Sequence, residues 1–154
     1  MTRRRGQIDG AFATRLIEML CSPACKCLSL SARRCLDRIE IEHSRHGGRE
    51  NGRLPVTYRD FEEHLIDRHA IAPALRELEA LGFLEITEQG RAGNAEWRRP
   101  NKFRLTFAYG DRGNPPTHEW RRIKSAEEAS ALAKAARAPL PKKRRTLDEQ
   151  ARAA

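Results

Sequence analysis

The sequence predicts an α+β fold in which three to four helices are combined with a two- to three-stranded β-hairpin and a helical, basic C-terminal extension. The first observation behind this prediction is a pair of helical patterns between residues 58 and 81, joined by a tight connection. The second is the alternation of apolar and polar residues over 83–87 and again over 102–107, which is the two-residue period of a strand. A chain of 154 residues with 39% hydrophobic residues is long enough for one core-forming domain with extensions.

The N-terminal third is predicted to contain a flexible arm and two helices. Residues 1–10 are basic, contain glycine and lack periodicity, so they are expected to form the arm. A short helix is expected over 12–20, since the proline at position 23 disfavours helix in the residue before it. Ser29 or Ser31 then provides the cap of a longer helix that runs to about His46, where a pair of glycines follows.

A capping pattern marks the start of the next helix. After a short extended segment at 53–56, Thr57 is followed three residues later by Asp60. The Thr57 side chain can accept a hydrogen bond from the first turn of a helix, so a brief helix is expected from Tyr58 to about Leu65.

A longer amphipathic helix follows the tight connection at 66–68. Gly82 is expected to end it, because glycine readily adopts the left-handed conformation found after helix ends. Pro73 lies inside this pattern and removes a backbone hydrogen bond, so the helix is expected either to begin late, near His69, or to bend. The core is predicted to comprise Phe61, Leu65, Ile71, Leu75, Leu78, Leu81, Phe83 and Leu105.

Three segments carry a resemblance to a known family. They are Leu-Pro-Val-Thr at 54–57, Arg-His-Ala-Ile at 68–71 and Leu-Arg-Glu-Leu-Glu-Ala-Leu-Gly-Phe-Leu at 75–84. Together with the order of elements, they resemble the winged helix-turn-helix domains of bacterial transcription regulators and of plasmid or phage replication initiators. The resemblance covers about residues 28–107 and implies binding to double-stranded DNA. It does not identify the process served, because one fold hosts many functions.

Composition and the resemblance together predict a division of the chain into three parts. A winged helix-turn-helix domain at 11–109 is expected between the arm at 1–10 and a C-terminal region at 110–154. That last region is expected to contain a linker, a short helix capped by Thr117 and a basic tail. Truncation after Tyr109 is expected to leave a folded domain, because every predicted core element precedes that residue.

The helix pair supplies the first candidate DNA contacts. Arg68, His69 and Arg76 are expected on the face of the second helix that enters the major groove. Arginine can read guanine through two hydrogen bonds, so Arg68 and Arg76 are predicted base contacts, with an ordinary solvated or salt-bridged arginine as the alternative for each. Tyr58 and Arg59 begin the preceding helix and are predicted phosphate contacts, with plain surface residues as the alternative.

The hairpin, or wing, and the tail are both rich in positive charge. Residues 91–104 contain five basic residues against one acidic residue, a concentration suited to phosphates or to a narrow minor groove. Residues 111–154 hold eleven basic and six acidic side chains, and are interpreted either as a nonspecific phosphate-binding tail or as a disordered, solubilising extension. The predicted DNA-binding residues of these two segments are Arg91, Arg98, Arg99, Lys102, Arg104, Lys142, Lys143, Arg144 and Arg145.

Composition narrows the classes of function. The formal net charge of +9 and a pI near 10.0 favour a polyanionic partner. No apolar stretch approaches the roughly 20 residues of a membrane span, and no signal-peptide pattern is present, so a cytoplasmic protein that does not bind membranes is expected. The four cysteines do not follow a zinc-binding spacing and no catalytic motif is recognisable, so neither a metal, a cofactor nor an enzyme is predicted.

Three hypotheses for function follow from these observations. The first is a sequence-specific bacterial transcription regulator that binds double-stranded DNA, either alone or as a homodimer. The alternative is a replication-initiation or other mobile-element factor that recognises an origin. The third is a nonspecific nucleic-acid-binding module, which would show a steep salt dependence without sequence preference.

Overall fold

The structure, a computed structural model, describes residues 8–91 and 99–141. Within these residues the chain is an α+β protein with a three-stranded antiparallel sheet, as the sequence predicts at this level. Its elements are α1 (Ile17–Leu20), α2 (Pro23–Lys26), α3 (Leu30–Arg45), β1 (Leu54–Val56), α4 (Tyr58–Glu63), α5 (Arg68–Ala80), β2 (Leu84–Glu88), β3 (Asn101–Leu105), a 3₁₀ helix (Glu119–Arg122) and α6 (Ala126–Arg137).

The sheet has the strand order β1-β3-β2, so the strand nearest the N-terminus pairs with the last one. Leu54 of β1 lies opposite Phe103 of β3, and Leu84 of β2 lies opposite Leu105. These four side chains are buried and point to the helices, which is why the alternation in the sequence predicts both long strands. Asn51, which precedes β1, is bonded to the end of β3, because its amide nitrogen donates a hydrogen bond to the carbonyl of Leu105 at 2.9 Å.

Two helix starts follow the predicted caps. The Ser29 hydroxyl accepts a hydrogen bond from the backbone of Ala32 at the start of α3. Thr57 and Asp60 form a reciprocal capping box at the start of α4, in which each side chain accepts from the backbone of the other residue. Both predicted caps are therefore confirmed.

The core lies between α3, α5 and the sheet. Of the eight predicted core residues seven are buried, but Leu65 is 80% exposed. Leu65 lies in the turn after α4 with φ at 60°, and Ile66 occupies the inward position instead. The helical spacing does not predict the position of the Leu65 side chain correctly, because α4 ends at Glu63, two residues before it.

The C-terminal region contradicts the predicted boundary at residue 109. Trp120, Ile123, Ala129 and Ala133 all belong to the same buried core as α3 and α5. The helix after the linker also begins later than expected, at Ala126, and Ser125 rather than Thr117 caps it. The domain therefore includes α6, which packs along α5 and against α2.

Gly82 joins this C-terminal region to the rest of the core. It follows α5 with φ at 82°, as expected for a glycine after a helix end. A Cβ at this position would lie 2.6 Å from backbone atoms of both Glu119 and Trp120. Glycine is therefore required twice here, for its backbone conformation and for the close approach of the 3₁₀ helix.

The N-terminal segment is less helical than the sequence predicts. Helix is confined to Ile17–Leu20, and the chain before it runs without regular structure from Ile8 to Leu16. The Arg15 guanidinium pairs with the carboxylates of Glu40 and Asp37 on α3. These long-range ion pairs hold the segment along α3, whereas periodicity alone reports only local preference.

The four cysteines are free thiols in different environments. Cys25 and Cys35 are buried, Cys27 is half-buried and Cys21 is exposed. In the described part of the chain, no three potential metal ligands come together. No described helix is both long and apolar enough to cross a bilayer.

Candidate functional site

The helix pair α4–α5 is joined by a turn that α3 supports. Arg34 of α3 donates a hydrogen bond from Nη1 to the carbonyl of Leu65, at 3.2 Å. Asp67 then caps α5 by accepting a hydrogen bond from the backbone of His69, at 2.8 Å. The start of α5 is thereby fixed relative to α4 and α3 while its outer surface stays exposed.

Arg68 and His69 lie on this exposed start of α5. The Arg68 guanidinium forms an ion pair with Glu62, with Nη1 and Oε2 3.2 Å apart, and lies 5.6 Å from the ring centre of Tyr58. Both members of the ion pair are substantially exposed, so the pair is weak and its donors can be redirected to a ligand. His69 is exposed beside it.

Pro73 is accommodated within α5 without moving its start appreciably. The helix begins at Arg68, one residue before the late start expected from the sequence. Because proline has no N–H, the carbonyl of His69 receives no helical hydrogen bond from Pro73. The first turn of α5 therefore carries the side chains of Arg68 and His69 and a backbone carbonyl that lacks its usual helical donor.

The Arg76 guanidinium contacts the C-terminal end of α6. Its Nε donates to the carbonyl of Ala136 at 2.8 Å, and its Nη2 donates to the carbonyl of Ala138 at 3.3 Å. The guanidinium thus satisfies carbonyls at the end of α6, where a cation is also favoured by the helix dipole. These contacts favour a structural role for Arg76, and the base contact predicted for it remains a prediction.

Arg91 and Arg99 face each other across the stem of the hairpin. Their backbones exchange two hydrogen bonds, of 2.9 and 3.2 Å, beyond the regular strands β2 and β3. Both side chains are exposed. The hairpin therefore continues to Arg91 and Arg99, which the sequence placed in the loop, and it brings these two arginines together. Arg98 lies outside the described residues.

Two other predicted wing cations are held in ion pairs. Lys102 lies 2.9 Å from the carboxylate of Glu88, and the hydrogen bond from this lysine lowers the pKa of Glu88. Arg104 pairs with Glu85 at 2.8 Å and with Glu119 at 3.1 Å. Arg104 thereby joins β2, β3 and the 3₁₀ helix, whereas Lys102 is 38% exposed. The DNA contacts predicted for both residues remain predictions.

The start of α4 presents Tyr58 and Arg59. Tyr58 is half-buried below the Arg68 guanidinium, so it orients that group. Arg59 is 85% exposed and forms an ion pair across one helical turn, with Glu63 at 3.0 Å. Arg34 was not predicted, because the polar face of an amphipathic helix does not reveal that one of its members lies beside the α4–α5 turn. The tail residues Lys142, Lys143, Arg144 and Arg145 lie outside the described residues.

Neither family models, curated proteins nor solved structures match this chain. The interpretation of the site consequently rests on its own geometry.

Proposed function

We propose that this chain binds double-stranded DNA as a winged helix-turn-helix protein. The observation that carries the proposal is the order of its elements: α4, a tight turn and α5 lead directly into the antiparallel pair β2–β3, and β1 completes the sheet. That arrangement is compatible with a winged helix, in which the second helix of the pair enters the major groove.

The chemistry of the exposed side chains supports the same function. Arg68 and His69 stand at the N-terminal turn of α5, the part of a recognition helix that meets base edges. Arg91 and Arg99 supply positive charge at the wing stem, and Arg59 supplies it at the start of α4. Such cations would position the protein on phosphates while Arg68 reads a base.

Transcription regulation is the process we infer for such a protein, and origin recognition is its alternative. The two differ in where the bound sites lie rather than in the binding chemistry. Sequencing the genomic DNA that copurifies with the protein distinguishes them. Sites upstream of genes support regulation, whereas a single cluster at an origin supports an initiator.

The binding test uses a matched pair of arginine variants. Arg68→Ala removes the proposed base contact, whereas Arg45→Ala removes the same charge at the last residue of α3. Arg45 lies about 16 Å along that helix from Arg34, which contacts the α4–α5 turn. We expect Arg68→Ala to weaken binding to a selected duplex by about 5- to 150-fold, and binding to a random duplex much less. Equal losses for both variants, or equal losses on both duplexes, would contradict base reading by Arg68.

A further inference from the structure

Leu65 occupies a strained position in the turn between α4 and α5. Its backbone N–H donates to the carbonyl of Glu62 at 3.0 Å, and the N–H of Ile66 donates to the carbonyl of Phe61 at 3.1 Å. This pair of hydrogen bonds is the Schellman motif, which ends a helix with one residue in the left-handed conformation. Leu65 is that residue, with φ at 60°. Glycine is favoured there, because a Cβ comes too close to a backbone carbonyl oxygen.

The fold buries little of the Leu65 side chain. It is 80% exposed, whereas the neighbouring Ile66 lies in the core. The hydrogen bonds of the turn use only the backbone of residue 65, since Arg34 donates to its carbonyl and Glu62 accepts from its N–H. A glycine could make both bonds without the strain. Leucine at this position therefore destabilises the folded domain, and a contact with another molecule accounts for its presence.

Described contacts connect Leu65 to the exposed start of α5. Glu62 accepts from the Leu65 backbone and also pairs with the Arg68 guanidinium, with Oε2 and Nη1 3.2 Å apart. The exposed Arg34 approaches from α3 and donates to the Leu65 carbonyl. Of the acidic residues in this turn, Glu62 is paired with Arg68 and Asp67 caps α5. An apolar side chain that is accompanied by two arginines suits a polyanion that also presents an apolar group.

We propose that Leu65 contacts the C5-methyl group of a thymine in the major groove, near the base that Arg68 contacts. This inference rests on the proposed function. The thymine methyl is the apolar group that base edges present in the major groove, and apolar side chains recognise it there. Leu65 and Arg68 together then select a site in which a thymine lies close to a guanine. The leucine adds specificity, whereas the surrounding arginines add affinity for any duplex.

The test combines a change in the protein with a change in the DNA. Leu65→Gly removes the side chain and the strain, whereas the control Leu65→Met keeps an apolar side chain of similar size at the same φ. Binding of each full chain to a selected duplex is measured by fluorescence anisotropy. The thymines of that duplex are then replaced one at a time by uracil, which lacks only the methyl group. Urea denaturation of each chain reports stability.

We expect Leu65→Gly to weaken binding to the selected duplex by about 4- to 10-fold, because a buried methyl group alone is worth about fourfold in affinity. Leu65→Met should bind within about twofold of the unmodified chain. Uracil in place of one particular thymine should weaken binding of the unmodified chain by about fourfold and that of Leu65→Gly hardly at all. The urea midpoint of Leu65→Gly should equal or exceed that of the unmodified chain, since the strain is gone.

Three results would overturn the thymine contact. One is an unchanged affinity of Leu65→Gly for the selected duplex, and another is an equal effect of uracil on Leu65→Gly and on the unmodified chain. The third is a urea midpoint of Leu65→Gly below that of the unmodified chain, which would show that the fold itself needs the leucine. If Leu65→Gly lost self-association but no DNA affinity, Leu65 would contact a second copy instead. The proposed function fails separately, if the unmodified chain binds no duplex at all.

Discussion

Replacing Trp120 by alanine tests whether the C-terminal region is part of the folding unit. Trp120 is 2% exposed, its indole N–H donates to His118 at 3.3 Å, and Arg121 lies 5.1 Å from its ring. Truncating a buried tryptophan costs about 3–5 kcal/mol, against a total free energy of unfolding of about 5–15 kcal/mol for a domain of ordinary stability. If residue 110 began a separate extension, the cost would be at most about 0.5 kcal/mol.

Urea denaturation followed by far-UV circular dichroism measures this difference. With a slope of about 2 kcal/mol per molar urea, Trp120→Ala should lower the midpoint by about 2 M. The control is Tyr109→Ala, which removes an aromatic ring that is 64% exposed and should change the midpoint little. If the urea midpoint of Trp120→Ala lay within about 0.3 M of the midpoint of the unmodified chain, the loss of stability would be only about 0.5 kcal/mol. That result would refute the inclusion of the C-terminal region in the core.

Three further predictions follow from the described contacts. Gly82→Ala should destabilise the fold by more than Gly113→Ala in urea, because both glycines have positive φ but only Gly82 is pressed against neighbouring backbone; equal losses would argue against the close approach. Although burial opposes the effect, the hydrogen bonds of the α4 capping box and a nearby arginine hold the pKa of Asp60 below its ordinary value. Its stabilising contribution is therefore present above pH ~4 and is lost as the pH falls through the lowered pKa. Asp60→Asn should thus cost about 1 kcal/mol at pH 7 and less at pH 2, and a constant cost at both would contradict this. Burial raises the pKa of the Cys35 thiol to about 12, so a thiol reagent at pH 8 should label Cys21 in the native protein but Cys35 only after unfolding, and rapid native labelling of Cys35 would show that the core around it is open.

Local signals in the sequence predicted the parts of the fold that depend on local physics. The caps at Ser29 and Thr57 were predictable because the hydroxyl needed by the first helical turn is itself part of the pattern. The strands were predictable because one face of the sheet is buried and the other is not, which imposes a two-residue period. Leu65 was misassigned because periodicity does not report where a helix stops.

The C-terminal boundary could not be predicted because the buried face of α6 is made of alanines. Ala129 and Ala133 contribute little apolar signal to the sequence, yet small side chains allow α6 to pack closely on α5. A segment rich in alanine and charge, following a linker, is equally typical of an extension. The close approach of Trp120 to Gly82 shows that the C-terminal region belongs to the core. It joins positions 38 residues apart, which no local pattern in the sequence reports.

The roles of individual arginines were only partly predictable. An arginine that reads a base and an arginine that holds the fold together look the same in the sequence. They differ in the hydrogen-bond and ion-pair partners of their guanidinium groups. Arg76 finds its acceptors 60 residues further along the chain, and Arg104 finds Glu119 15 residues away. Arg68 is exposed, and the partners described for its guanidinium are Glu62 and Tyr58 on the preceding helix. The sequence alone therefore does not distinguish an exposed arginine from one that is held by distant parts of the chain.

The central claim is that the start of α5 and the stem of the wing contact one DNA duplex. Amide chemical-shift mapping of the ¹⁵N-labelled full chain, titrated with a selected duplex, tests it most directly. The account predicts that the largest shifts at stoichiometric DNA occur at Arg68, His69 and Arg99, with small shifts at the far end of α3 around Arg45. Shifts confined to the end of α3, or no shifts at all with stoichiometric duplex, would contradict it.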